Sequence, residues 1–408
     1  MNNIIYRVVG GNFHVLNISS GDLMTFDISK NDMYYLLKNW KKIKLESDVK
    51  MLFAHQGQIN TRLCRSNLID LGMDFGFPTV VNIELNRRCI LRCKHCYISE
   101  EHLESSALSV FEKMTLEDIT SFFDELGNMG VFLLVFTGGE PFINKKLQHF
   151  IEMATKKNFV IEIFSNLQFI PKWFRELSPT SGSIGRIQVS VYSSNEKTHD
   201  TITNQNGSYK KTMKNLKFLM RKGFYVEVAT PLMIYNYETW KETKNFFLKL
   251  GIKQDFSWPI VDEYYSQKTN KTLLNLSAKQ FQKFVDENPD FLIKTDFSDV
   301  ESPICEAGRA IFSVVANGDV FPCSQLPCPV GNITQKDLLS IYQSDKMQKF
   351  RNLKMLDTGL KASYNYCIGL NYSETGNILT QPKIFAGSIR EILKKKGGGR
   401  REKVHPDS

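Results

Sequence analysis

The sequence predicts an α/β fold: a partial (β/α)6 barrel of parallel strands, with a small module before it and a cysteine-bearing extension after it. Two observations carry the barrel. Between residues 79 and 288, strand-like runs alternate six times with helical periodicity, and no turn-rich all-β stretch interrupts them. Six repeats fall short of a closed eight-fold barrel, so the sheet is expected to stay open. A third observation places the chemistry. A CxxxCxxC loop follows the first strand, at the carboxyl end of the sheet, where such folds bind ligands.

The elements follow in order. Residues 1–75 open with alternating runs at 4–9 and 13–16, a Gly21-Asp22 turn and a third run at 23–26, a short β-meander. Helical periodicity follows over 28–40, 48–54 and 61–71. A small sheet followed by helices resembles a winged-helix module. Within 79–288, strands are expected at 79–85, 131–137, 160–165, 186–192, 225–231 and 253–258. Helices are expected near 115–126, 144–156, 209–222, 238–250 and 277–287. Over 300–385, cysteine, glycine and proline become frequent and strands short. The stretch 394–408 carries Lys394, Lys395, Lys396, Arg400 and Arg401 without apolar periodicity, and reads as a disordered basic tail.

Composition narrows the function classes. The 408 residues, 42% hydrophobic and 23% charged, describe a globular chain with one large core. The opening residues Met1 to Arg7 lack the pattern of a signal peptide, and no apolar run is long enough to span a bilayer. A cytoplasmic location without membrane insertion is therefore expected. The net charge of +9 is spread along the chain and into the tail, so it reads as solvated surface rather than a nucleic-acid site. Eight cysteines in a reducing compartment point to metal ligands or reactive thiols, not disulfides.

Cys89, Cys93 and Cys96 form the CxxxCxxC, with His95 and Tyr97 on either side of the last cysteine. Three thiolates on one loop can hold three corners of a cubic 4Fe–4S cluster and leave the fourth iron open. A structural zinc site competes; it wants four ligands, and His95 or His102 would complete a Cys3His set. The second strand ends in Phe136-Thr137-Gly138-Gly139-Glu140-Pro141. Two glycines let the backbone approach a ligand closely. Glu140 offers a carboxylate to an ammonium group.

One βα unit apart, these two motifs resemble the radical S-adenosylmethionine (SAM) superfamily and its partial barrel. The resemblance implies that Cys89, Cys93 and Cys96 bind a 4Fe–4S cluster whose open iron takes the amino and carboxylate groups of SAM. It implies that Gly138, Gly139, Glu140 and Pro141 contact the SAM amino group, that His95 lies near the adenine, and that Tyr97 belongs to the same cofactor surface. Ser165 and Asn166 stand where the third strand of the family ends in Thr-Asn-Gly, with Leu167 in place of the glycine. Ser190 and Tyr192 match the Ser-Leu-Tyr pattern of one subgroup, as do His199-Asp200 and Gly207-Ser208. Strand-end polarity and helix capping account equally well for Ser190, Tyr192 and Asp200. The implied chemistry is reductive cleavage of SAM to a 5′-deoxyadenosyl radical that abstracts hydrogen, with the protein supplying position and excluding water.

Cys305, Cys323, Cys328 and Cys367 form a second set, with Gly318 ahead of Cys323 and Gly331-Asn332 behind it. This resembles the SPASM and twitch extensions of radical SAM peptide maturases. Four cysteines allow one auxiliary 4Fe–4S cluster; they suit zinc as well. The closing CxxC of the family is missing, since Tyr364 stands three before Cys367. Either Cys328 is the fourth ligand, or the cluster keeps an open iron for a substrate thiolate. The Cys367-Ile368-Gly369 end resembles sactipeptide maturases such as the sporulation killing factor enzyme. The module at 1–75 resembles leader-peptide recognition elements, which take a leader as an added strand; a plain cap on the barrel is the alternative. Cys64 reads as an apolar filler. Arg87, Arg88, Arg92 and Lys94 either offset thiolate charge or are solvated, and no single catalytic acid or base stands out.

The resemblance implies a maturase that cross-links a ribosomally synthesised peptide, with a thioether of the sactionine type as first choice. Its partners would be the precursor peptide and a reducing electron donor such as a flavodoxin or ferredoxin. The alternatives are a radical SAM protein oxidase or peptide epimerase, and a non-catalytic iron–sulfur or zinc protein that binds the peptide.

Overall fold

The computed structural model describes residues 4–39, 47, 52, 61–99, 107–179, 183–263, 270–291, 294–295, 301–358, 363–364 and 367–380. Most of the helix expected at 48–54, the side chain of Cys64, His102 and the tail 394–408 lie outside the described residues.

The N-terminal meander forms as expected. β1 (Ile4–Val9), β2 (Asn12–Asn17) and β3 (Leu23–Phe26) make an antiparallel sheet with β2 in the centre. Gly10 and Gly11, both at positive φ (58° and 88°), close the first hairpin in two residues. Helices α1 (Lys30–Asn39) and α2 (Thr61–Phe75) follow. Leu68 and Leu71 of α2 pack with Ile5, Leu16 and Ile18 on one side, and with Val80, Leu133 and Val160 at the starts of three barrel strands. The helix thereby seals the amino-terminal end of the barrel. Arg7 pins the module down: its Nε donates to Val131 O at 2.6 Å and its other arm to Asn158 O at 3.0 Å.

All six expected barrel strands form: β4 (Val80–Asn86), β5 (Leu133–Gly138), β6 (Val160–Ser165), β7 (Ile184–Ser190), β8 (Val226–Pro231) and β9 (Lys253–Ser257). They pair parallel, in chain order. The fourth runs over 184–190 rather than 186–192, so Tyr192 lies beyond the strand. The covering helices are α3 (Leu116–Asn128), α4 (Leu147–Lys156), α5 (Glu196–Thr203), α6 (Ser208–Lys222), α7 (Trp240–Lys249) and α8 (Ala278–Glu287). Capping boxes at Thr115/Asp118 and Ser277/Gln280 start α3 and α8. Periodicity missed the short helices: α5, eight residues long, and single turns at Val110–Lys113 and Lys172–Glu176.

Alternation along the strands separates two surfaces. Val81, Ile83 and Leu85 of β4 join Phe123, Phe136, Phe150 and Leu216 in the core beneath the helices. Asn82, Glu84 and Asn86 are buried on the opposite face. The same inner face carries Glu162, Arg186 and Glu227 on three adjacent strands. Arg186 donates to Glu162 and Glu227 at 2.6 Å each.

The extension shares the barrel's sheet, which periodicity did not anticipate. β10 (Lys294–Thr295) pairs with β14 (Ser363–Tyr364) in a small ladder. β11 (Ile311–Val314) lies parallel to β4, and β12 (Asp319–Phe321) and β13 (Gly331–Asn332) continue antiparallel. The result is a nine-stranded sheet in the order β13-β12-β11-β4-β5-β6-β7-β8-β9. Among the described residues no helix is long and apolar enough to cross a membrane.

Candidate active site

The cysteine loop leaves β4 at Asn86 and is clamped from β5. Gly138 and Gly139 let this turn approach the backbone of the cysteine loop closely. A Cβ on Gly138, at φ 133°, would stand 2.2 Å from Asn86 O, and one on Gly139 would stand 2.1 Å from Arg88 O. The turn is pressed against the first residues of the cysteine loop. Gly139 N–H donates to Asn86 O at 2.8 Å and Glu140 N–H to Arg88 O at 2.9 Å. The Asn86 amide closes the loop by donating to Glu140 O at 3.1 Å.

The four cations near the cysteines are built into this loop. Arg87 Nε meets Glu84 Oε1 at 3.0 Å, Arg88 pairs with Glu112, and Arg92 donates to Cys89 O at 2.7 Å. The Lys94 ammonium lies 5.3 Å over the Tyr235 ring. Backbone bonds from Arg92 and Lys94 to Thr203 O and Ile202 O (3.1 and 2.9 Å) tie the loop to the end of α5.

The three thiols lie together in a mostly dry site. Burial pushes the Cys89 thiol up to about 12 and the Cys96 thiol up to about 11. Cys93 is raised too, by burial first and then by the charges of Cys96 and Cys89. Three buried thiolates repel one another, so a cationic iron centre is what makes this arrangement stable in its charged form. Donors already face the sulfurs. Leu91 N–H and Asn166 Nδ2 approach Cys89 Sγ at 3.4 and 3.3 Å, and the Tyr192 hydroxyl lies 3.6 Å from Cys93 Sγ. This donor set fits a cluster bound by thiolates. A single zinc ion draws its ligands to within about 2.3 Å of one point. Among the described residues no three His, Cys, Asp or Glu side chains converge that way.

Glu140 is fully buried and caps the single helical turn opened by Pro141. Oε1 accepts from Phe142 N–H (3.0 Å) and the Ser165 hydroxyl (2.8 Å); Oε2 accepts from Asn166 N–H (2.8 Å). Burial still lifts its carboxyl to about 7. Three of a carboxylate's roughly four acceptor directions are filled, which leaves one for an ammonium group. His95 is held edge-on to Tyr192, with ring centroids 4.7 Å apart. Burial lowers its imidazole to about 4, and its Nδ1 has no hydrogen-bond partner among the described residues. Tyr97 packs against Val315 and Phe321 of the extension and hydrogen-bonds Thr137.

Leu167 keeps the turn that the family makes with glycine. It sits at φ 53° and is fully buried, a conformation costly for a branched side chain. The Ser165 hydroxyl (2.9 Å) and the Asn215 amide (2.7 Å) hold its backbone there. Asp200 is a structural cap: it accepts from Gly207 N–H, the Ser208 hydroxyl and Tyr209 N–H at 2.6–2.8 Å, where α6 begins. His199 accepts the Tyr192 N–H at 3.2 Å. Sequence reasoning missed Glu84. It is buried, takes Arg87 and Ala316 N–H on Oε1, and has no hydrogen-bond partner on Oε2 among the described residues. Its signal was a carboxylate on a strand otherwise made of apolar and amide residues.

In the extension Cys305, Cys323 and Cys328 pack against one small cluster that includes Ile304, Leu326 and Ile368. Burial raises the Cys305, Cys323 and Cys367 thiols. Cys305 also feels the charges of Cys323 and Cys367, and Glu306 acts on all three. Cys328 is raised by burial, and its partner is the Tyr372 hydroxyl. Cys367 caps helix α9 (Ile368–Thr375), and a Cβ on Gly369 would meet Gln325 O at 2.3 Å. That contact accounts for the Cys-Ile-Gly end.

Comparison with known proteins agrees with this geometry. Residues 83–250 match the radical SAM superfamily, and residues 305–368 match SPASM, an iron–sulfur cluster-binding domain. The subtilosin biosynthesis protein AlbA of Bacillus subtilis is 27% identical over 304 residues, which are 72% of this chain and 66% of AlbA. The AdoMet-dependent heme synthase of Methanosarcina barkeri is 23% identical over 74% of this chain and 95% of its own length. In fold, the chain is similar to SuiB of Streptococcus suis, in its structure with the precursor peptide SuiA. That match has a TM-score of 0.59 at 15% identity and covers 86% of this chain and 90% of SuiB. Residues 83–250 are a radical SAM domain, and residues 305–368 are a SPASM-type iron–sulfur domain.

Proposed function

We propose that this protein is a radical SAM maturase that installs a cross-link in a ribosomally synthesised precursor peptide, most simply a thioether from a cysteine sulfur to a substrate carbon. The observation that carries this reading is the second cysteine set, Cys305, Cys323 and Cys367, on an extension that shares the sheet of the first. When bound, the open-iron cluster and SAM supply a carbon radical able to take a hydrogen atom from an unactivated carbon. Joining S–H to C–H removes two hydrogens. One leaves as that atom and the other as a proton plus an electron, so an electron acceptor is required beside the substrate. The auxiliary set provides the ligands for one. Cys305, Cys323 and Cys367 would hold it, and the fourth position falls to Cys328, which packs beside Cys305 and Cys323 and bonds Tyr372, or to a substrate thiolate. The chain's own groups do the rest. Glu140 holds the turn and keeps an acceptor for the SAM amino group, and neutral His95 and Tyr97 line a site that excludes water.

Residues 1–75 support a peptide as substrate. A groove of about 630 Å³ runs between β3 and α2, lined by Leu23, Met24, Asn67, Leu71 and Phe75. β3 is an edge strand with no second neighbour among the described residues. A leader would add there as a strand. The cytoplasm suits this enzyme, with a flavodoxin or ferredoxin as donor: the seven cysteines described are all free.

The test is an anaerobic reaction of reconstituted enzyme, reductant, SAM and a cysteine-bearing peptide encoded beside the gene, read by mass spectrometry. Loss of two hydrogens per link together with 5′-deoxyadenosine is the expected result. SAM cleavage with an unchanged peptide mass would move the assignment to epimerisation. No SAM cleavage by iron-loaded protein would overturn it.

A further inference from the structure

We infer that Asn166 and Tyr192 donate hydrogen bonds to the cysteine sulfurs of the catalytic cluster and thereby set its reduction potential. The inference rests on the reading of Cys89, Cys93 and Cys96 as cluster ligands. Sequence resemblance places both residues at the SAM site, and their polar groups also face the cysteine sulfurs.

The orientation of Asn166 is determined by its neighbours. Its Oδ1 accepts Gln168 N–H at 2.9 Å, which only the oxygen of the amide can do. Nδ2 therefore faces Cys89 Sγ, 3.3 Å away. The backbone on either side is held as well, by Glu140 Oε2 at the N–H and the Thr212 hydroxyl at the carbonyl, both at 2.8 Å. Tyr192 is equally constrained. Its ring is stacked on His199 (5.3 Å, 28°) and held edge-on by His95, and its backbone N–H is bound by His199 Nδ1. Ser190 hydrogen-bonds the phenol oxygen. A metal-bound sulfur carries no proton, so across the 3.6 Å contact the tyrosine O–H is the donor and Cys93 Sγ the acceptor.

Hydrogen bonds to cluster sulfurs draw negative charge off the iron and favour the more negative, reduced state. Here they act in a buried site, where each counts for more than in water. Side-chain donors thus reach two of the three ligating sulfurs, from the ends of β6 and β7. These two strands couple the sheet to the ease with which the cluster accepts its electron.

The experiment is a redox titration of the holoenzyme followed by electron paramagnetic resonance. The catalytic cluster is distinguished from the auxiliary one by the change of its signal on SAM addition. Tyr192→Phe keeps the ring stack and removes the O–H. The expected result is a more negative midpoint, seen as at least a threefold lower reduced-to-oxidised ratio at fixed poise, with iron and sulfide at the wild-type level. An unchanged midpoint in iron-replete variant protein would overturn the inference, even if SAM cleavage slowed, because slowing alone is what a purely structural tyrosine would cause. If Tyr192→Phe loses its cluster, a site-specific Tyr192→3-fluorotyrosine exchange preserves the shape and strengthens the donor. Its midpoint must then move the other way, and a midpoint that stays put overturns the inference. Full iron retention by Cys89→Ala would instead reject the ligand assignment beneath it.

Discussion

Gly139→Ala should damage the cysteine loop more than its single methyl group implies. The new Cβ would stand 2.1 Å from Arg88 O and 2.4 Å from Arg87 O. Both atoms are backbone, so neither can rotate away, and Arg87 and Arg88 are themselves tied to Glu84 and Glu112. Overpacking of this kind costs about 1–3 kcal/mol. Moving the loop also breaks the bonds from Gly139 N–H and Glu140 N–H, at about 1 kcal/mol each. A loss of about 3 kcal/mol or more follows, read as a lower urea midpoint of the apoprotein with unchanged slope. The displaced loop should also fail to retain the first cluster, so iron content after reconstitution should fall by about half. Gly127→Ala is the control. Its Cβ would meet only the Phe159 ring, at 3.7 Å, within helix α3. Gly127 lies in the last turn of α3, where alanine in place of glycine should be neutral or stabilising by up to about 0.5–1 kcal/mol. If Gly139→Ala matched this control in both midpoint and iron, the account of the Gly-Gly turn as a steric clamp on the loop would be wrong.

Three further outcomes are expected. Arg186→Met removes the cation that Glu162 and Glu227 share and leaves them only Arg65 and Lys253 (3.0 and 3.4 Å), so it should cost about 1.5–3 kcal/mol in chemical denaturation; a loss below about 0.5 kcal/mol would show that the network relaxes. Cys328→Ser should keep the auxiliary iron, whereas Cys305→Ala, Cys323→Ala and Cys367→Ala should each remove about four of about eight irons; equal losses in all four would make Cys328 a ligand. Glu140 supplies a pH dependence. Its carboxyl is lifted from 4.5 to about 7 by burial. Between these values the folded apoprotein holds a proton that the unfolded chain has released. Stability should therefore fall as pH rises through this window, by about 3 kcal/mol. Glu140→Gln should flatten that slope, and an unaltered slope would assign it to other groups.

Most of the barrel was legible because its cues are local. Strand runs and intervening helical periods survive in the sequence whatever their neighbours do, and the cysteine and glycine motifs fix the order of the site. What was not legible depends on contacts distant in sequence. β11 is four residues long and lies against β4, some 230 residues earlier, an alignment that no local pattern records. The packing of Gly138 and Gly139 on Asn86 and Arg88 was hidden for the same reason: glycine announces a close approach, but not what approaches. Tyr192 leaves its strand and turns toward Cys93 because His199, seven residues on, holds its backbone N–H. The Thr-Asn-Gly turn could be read only with its glycine; here the Leu167 N–H donates to the Ser165 hydroxyl and the Asn215 amide donates to Leu167 O, which holds Leu167 at positive φ.

Under the proposal that a leader docks beside β3, the position of α2 sets a length requirement on the substrate. Asn67, Leu71 and Phe75, four residues apart, line the groove beside β3. Leu68 and Leu71 pack on the starts of β4, β5 and β6, and the Arg65 guanidinium meets Glu162 on the inner face at 3.0 Å. The groove therefore lies at the amino-terminal end of the barrel, and the cysteine loop at the carboxyl end. β4 has seven residues and spans roughly 20 Å at about 3.3 Å per residue. An extended peptide needs at least about six or seven residues to cover that height, and more to travel around the helices. A precursor that docks at β3 must therefore separate its docking segment from its first modified residue by roughly ten residues. Spacer deletions should leave binding intact, measured by fluorescence anisotropy of a labelled precursor. Cross-linking should stop once fewer than about six residues remain. Efficient modification with a spacer of two or three residues would show that the leader is not held in this groove.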